Sequence, residues 1–116
     1  MELDLSTGRI SLVIVPTDLR FGYFRLARLA TEYLHIDVTA GHDWVVFISR
    51  TREVAKIIHC DEHGSVMVTR RLHKGRYQRL MERIDGPVSR SLCVSELKNY
   101  LNGGVLEVNR DNYVYG

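Results

Sequence analysis

Residues 41–77, GHDWVVFISRTREVAKIIHCDEHGSVMVTRRLHKGRY, decide the fold. Three stretches in it, Trp44–Ser49, Val54–Cys60 and Ser65–Thr69, have strand length and are rich in β-branched and aromatic residues. Thr51-Arg52 form a two-residue connection between the first pair. Asp61-Glu62-His63-Gly64 form a turn between the second pair, where Gly64 is free to take positive φ. Neither connection is long enough for a crossover helix, so the consecutive strands run antiparallel and make a β-meander.

Upstream of the meander, Arg9–Val15 (RISLVIV) is a β-branched run bounded by Gly8 and Pro16, and reads as a further, buried strand. Met1–Gly8 is a polar lead-in. After Pro16, Thr17 or Asp18 is placed to cap a helix. From Leu19 to Leu34 the apolar period becomes helical, with Leu19, Tyr23, Leu26, Ala27, Ala30 and Leu34 on one face and Arg25, Arg28 and Glu32 opposite. That stripe has to be buried on a face of the sheet. A loop over residues 35–43 leads back to Trp44.

Downstream, Gln78–Arg83 suggests a short helical turn and Asp85-Gly86-Pro87 a break. Ser95 is placed as N-cap for a helix over Glu96–Asn102, with Gly103 as its stop. Val105–Tyr115 suggests a terminal hairpin turning over Asn109–Asp111. The expected architecture is therefore α+β: an antiparallel meander, one long helix packed on the sheet, a short C-terminal helix and a hairpin over residues 104–116. A chain of 116 residues, 45% hydrophobic and 26% charged, has room for one core, so residues 1–116 are expected to form a single domain.

Composition narrows the function classes. No apolar run approaches the roughly 20 residues that span a bilayer, and the start, MELDLSTGRI, is acidic before it is apolar, unlike a secretory signal. No membrane association is expected. Cys60 and Cys93 are expected to be reduced thiols in a cytoplasmic compartment. The net charge of +2 hides an asymmetry, because residues 41–90 carry ten cations against six acids. Arg70, Arg71, Lys74, Arg76 and Arg79 fall within ten residues, and no acid lies between Glu62 and Glu82. Arg50, Arg52 and Lys56 extend the patch, and Tyr77 is interleaved. Cations at a strand end and in its loop reach neighbouring phosphates, where counterion release supplies sequence-independent affinity. The plain alternative is a solvated face that protects a sheet edge.

Other chemistry fares worse. His59-Cys60-Asp61-Glu62-His63 holds metal-binding residue types, but it lacks the His-Glu-x-x-His order and lies in a hairpin, where His59 and Cys60 point to opposite faces. Neither cysteine has a nucleophile signature and no Gly-rich phosphate loop is present. Asp18, Asp61, Glu62 and Glu82 would have to converge to hold catalytic divalent ions, which sequence cannot show. No cofactor, metal or catalytic residue is expected. In Thr17-Asp18-Leu19-Arg20 a cation sits at the positive end of the expected helix, which points to a partner for Arg20, either Asp18 or a phosphate.

Taken together, these stretches resemble the small TnpB-type accessory proteins, products of a second open reading frame, that accompany the transposase in one large family of bacterial insertion sequences. Thr17-Asp18-Leu19-Arg20-Phe21-Gly22 is similar to that family's T-D-M-R-x-G. Gly41-His42-Asp43-Trp44-Val45-Val46-Phe47 with Arg50-Thr51-Arg52 is similar to S-G-x-x-F-V-F and its basic turn. Lys56–Gly64 matches K-I-L-x-W-D-x-x-G, with Cys60 in place of Trp, and Arg70–Tyr77 matches K-R-L-x-x-G-R-F. Gln78-Arg79 replaces the Trp-Pro that often follows. The likeness covers about residues 10–103, and joint order and spacing make it far more specific than any one piece. It implies a non-enzymatic accessory role in DNA transposition, with chemistry left to a separate transposase as partner. DNA contact is then expected through Arg50, Arg52, Lys56, Arg70, Arg71, Lys74 and Arg76. The alternative is a protein-interaction module that docks the transposase, by the sheet edge or by an apolar patch around Trp44, without touching DNA.

Overall fold

The computed structural model of the protein describes residues 8–80, 87–107 and 110–115. The lead-in before Gly8, the expected turn beyond Leu80 with Glu82, and Asp85-Gly86 of the expected break lie outside them. Among the described residues the fold is α+β. Strand β1 (Arg9–Val13) leads to helix α1 (Tyr23–Leu34), and then to β2 (Asp43–Ile48), β3 (Val54–Asp61) and β4 (Gly64–Arg71). Strand β5 (Pro87–Leu92), helix α2 (Val94–Leu101) and a short β6 (Tyr113–Tyr115) complete it.

The strands form one sheet in the order β4-β3-β2-β1-β5-β6. The expected meander is present: β2–β3 and β3–β4 pair antiparallel, with Val46 opposite Ile57 and Ile57 opposite Val68. The sheet as a whole is mixed, however, because β1 pairs parallel with β2 and α1 lies on the crossover between them. A parallel neighbour needs such a long connection, and residues 14–42 supply it. On its other side β1 pairs antiparallel with β5, which places β1 and β2 at the centre.

Central strands covered on both faces should be continuously apolar, and β2 is buried at every position. Its alternate residues serve two cores. Trp44, Val46 and Ile48 join Ile10, Leu12, Leu97 and Tyr100 on the α2 face. Val45 and Phe47 join Val13, Leu26, Ala30 and Ile58 on the α1 face.

Several boundaries differ from expectation for local reasons. Helix α1 starts at Tyr23, with Gly22 at its N-cap, and neither Thr17 nor Asp18 caps it. The Asp18 carboxylate instead accepts from the Arg20 amide and guanidinium, which closes a turn before the helix. Thr17 extends the parallel pairing, its amide donating to Ile48 O. The β2–β3 connection covers residues 49–53 rather than two, with Arg52 in the left-handed region at φ 62°. Helix α2 starts at Val94, not Glu96: Cys93 is its N-cap, and the Glu96 carboxylate accepts from the Cys93 amide. The terminal hairpin is overturned. β6 pairs with β5, with Val114 opposite Ser89, while residues 104–107 form no strand. Among the described residues, no helix is long and apolar enough to cross a membrane.

Candidate nucleic-acid interface

The antiparallel register brings the expected cations to one end of the sheet. Arg71 stands opposite Val54 and Arg70 opposite Ala55, so both reach the β3 end that follows Arg50 and Arg52. Two backbone bonds then fold the next loop back onto the same place. The Leu72 amide donates to Glu53 O at 3.0 Å and the Tyr77 amide to Arg52 O at 2.7 Å. Lys74 and Arg76 lie between those anchors, both exposed. Cations from three stretches, Arg50 and Arg52, Arg70 and Arg71, and Lys74 and Arg76, thus share one rim.

The pleat divides that rim between two faces, because successive strand residues alternate. Arg70 turns toward the α2 side and donates to Asn102 Oδ1 at 3.0 Å. Arg52 lies on the same side, near Tyr100. Arg71 and Lys56 face the α1 side, where they line a groove of about 550 Å³ together with Arg20, Arg50, Asp18 and Thr69. Four cations against one carboxylate make the groove strongly positive.

Hydrogen bonds fix its walls. Lys56 Nζ donates to Leu19 O at 2.6 Å and to Phe21 O at 3.3 Å, tying the pre-helical loop to β3. Arg20 closes a fork on Asp18, with Nη2 at 2.7 Å from Oδ2 and Nε at 3.0 Å from Oδ1. These side-chain bonds, then the Arg20 amide, hold the Asp18 carboxyl well below the usual carboxylate range. Nearby Arg50 acts in the same direction. Arg71 approaches Glu53 at 3.9 Å, a loose pair. Arg50, Arg52, Lys74 and Arg76 form no side-chain hydrogen bond or ion pair among the described residues, whose ion pairs involve other cations.

Tyr77 is not part of this surface. It is 1% exposed, stacks on Tyr100 with ring centroids 5.2 Å apart, and donates to Leu101 O. Its position in the sequence, among arginines, conceals that the chain turns inward there. Trp44 is likewise core, 5% exposed and stacked on His59 at 3.8 Å, so among the described residues its ring does not form an apolar surface. His59 Nδ1 lies 2.8 Å from Asp43 O on that face, whereas Cys60 packs against the α1 core. Among the described residues, no group of three His, Cys, Asp or Glu side chains is arranged to hold a metal ion. Asp61 accepts from the His63 and Gly64 amides at the far end of β3 from Asp18. Glu82 lies outside the described residues. Cys60 and Cys93 are both free.

Arg20 and Thr17 belong to the groove but were absent from the expected contact set. The signal was present in sequence, since Arg20 stood at an electrostatically unfavourable position and Asp18 proves to be its partner. What sequence could not supply was the β1–β2 parallel pairing that sets Thr17 beside Ser49.

Compared with known proteins, residues 8–110 match the family model described as IS66 Orf2-like protein. No curated protein and no solved structure matches the chain. The matched span includes every cation of the rim and both walls of the groove. The chain belongs to the IS66 Orf2-like family, and with it to insertion-sequence transposition.

Proposed function

We propose that this protein is a non-enzymatic accessory factor of transposition that holds transposon DNA by its phosphates. Arg50, Arg52, Arg70, Arg71, Lys74 and Arg76 supply the positive contacts, and Lys56 braces the loop that carries Arg20. The observation that carries this reading is the convergence of three basic stretches on one end of the sheet, most of their charges left without an acid among the described residues. Unneutralised cations crowded on one rim repel one another, and a polyanion relieves that repulsion while releasing its counterions. Such contacts position a duplex without reading its sequence. The cognate transposase is the natural second partner, with this protein bridging it to DNA.

One feature favours a different use of the same region. Strand β4 is an edge strand, paired with β3 alone and exposed along most of its length. A strand of the transposase adding to that edge, with acids facing Arg70 and Arg71, would make the protein an interaction module. Charge reversal separates the two. Arg70→Glu/Arg71→Glu is expected to abolish binding of the purified protein to duplex DNA. If the unsubstituted protein has no measurable DNA affinity and the variant instead loses the transposase, the DNA reading is wrong.

A further inference from the structure

Beside the basic groove lies a second concavity, of about 330 Å³ and mainly apolar, on the flank of α1. Its walls include Val13, Leu29 and the aromatic rings of Phe21, Tyr33 and Phe47. The two concavities share Thr17, Asp18 and Arg50, so an aromatic-lined pocket opens directly alongside a cationic groove. The pocket volume falls within the range of small-ligand sites, about 300–1,000 Å³, and its few polar groups sit among apolar ones as in such sites.

We propose that the pocket receives one unpaired nucleobase, while the adjoining phosphate lies in the groove against Arg50. This rests on the DNA-contact reading above and adds the kind of DNA recognised. A nucleotide has the same two-part character as the site: a flat, weakly polar base one sugar away from an anion. Tyr33, 59% exposed, offers a π face for stacking, which every base can use regardless of identity, while Phe21, whose ring carries the Arg25 guanidinium at 4.2 Å, and the buried Phe47 complete the walls. Thr17 and the Tyr33 hydroxyl offer polar contacts for a base edge. A base inside a duplex cannot enter, because it must first leave the stack, and that is least unfavourable where it is already unpaired. The protein therefore prefers DNA with a single-stranded end or junction over intact duplex. An apolar side chain of a protein partner would fit the pocket walls, but the neighbouring groove has a surplus of cations that reaches the rim at Arg71, which suits a nucleotide chain better.

Three probes test this: a blunt duplex, the same duplex with a three-nucleotide overhang, and that overhang built from abasic residues, which keeps its phosphates. The base-bearing overhang is expected to bind about tenfold more tightly than the abasic one, as stacking of one base allows. Val15→Trp, at a pocket-wall residue 55% exposed, should reduce that ratio to one, as should Tyr33→Ala at a position 59% exposed. Neither residue belongs to the buried core. Equal affinity for the two overhangs, with blunt duplex still bound, would overturn the base pocket and leave phosphate contact standing. No binding to any of the three would overturn both. If Val15→Trp weakens transposase binding while the overhang ratio is unchanged, the pocket is a protein site and the proposal fails.

Discussion

The Lys56 ammonium bridges two carbonyls, Leu19 O and Phe21 O, and so ties the pre-helical loop to β3. Bonds from a charged donor contribute about 1.5–3 kcal/mol, so Lys56→Met is expected to lower unfolding free energy by about 1–2 kcal/mol in a urea titration. The same variant should weaken DNA binding through disorder of the loop that carries Arg20. Arg52 is a contrasting case. Its left-handed backbone, φ 62°, disfavours any side chain by about 1–2 kcal/mol. Arg52→Gly is therefore expected to leave stability unchanged or raise it, while DNA affinity falls. A fall in stability would mean that packing of the Arg52 side chain beside Tyr100 outweighs its backbone strain. Asp18 sets an acid limit. Its folded-state pKa lies below its unfolded value, so its stabilising effect is complete above the usual carboxylate pKa of about 4. The effect is lost as pH falls from there toward the lowered folded value. The urea midpoint should drop below about pH 4 and drop less in Asp18→Asn.

At the scale of elements, β5 shows why part of the sheet was legible in sequence and part was not. The meander announced itself through β-branched, largely apolar runs whose short connections allowed one pairing direction. β5 reads Pro-Val-Ser-Arg-Ser-Leu and buries Ser89 and Arg90, so neither an apolar run nor a clean alternation marks it. Arg90 is 1% exposed and donates from Nη2 to Glu96 Oε2 and Glu107 O, both at 2.9 Å. These contacts lie more than five residues downstream, in α2 and in the segment after it, whose placement only the fold reveals. β6 was misread for a similar reason. Its partner is β5, not the segment just before it. Glu96 also braces the start of α2: its carboxyl is held below the usual range chiefly by the Cys93 amide, with Arg90 adding to this. Removing one partner of a buried pair leaves an uncompensated charge, which destabilises by about 3–5 kcal/mol. Glu96→Ala should cost less than that, about 2–3 kcal/mol, because the Glu96 side chain is 30% exposed although Arg90 is only 1% exposed. Arg90→Met, which removes the buried charge, should be milder, within about 2 kcal/mol. Thermal or denaturant unfolding of the two variants checks the order, and the reverse order would mean that Arg90 acts through packing.

For the whole molecule, charge and topology combine at one end. The mixed sheet is covered by α1 on one face and by α2 on the other, which leaves the strand-connecting end and the β4 edge as open surfaces. The clustering of cations was visible in the sequence, since five of them lie within residues 70–79. Their division between two faces was not, because it depends on strand parity and on the fold-back of residues 72–77 onto Glu53 and Arg52. The inward turn of Tyr77 was hidden for the same reason.

The most direct test is the affinity of the purified protein for duplex DNA across a salt series, with Arg70→Ala/Arg71→Ala alongside. With about five phosphates neutralised, log affinity should fall against log salt with a slope of about −4 to −5, and the variant's slope should be shallower by about two. Absence of binding even at low salt, or an identical slope in the variant, would contradict a DNA surface at this end of the sheet.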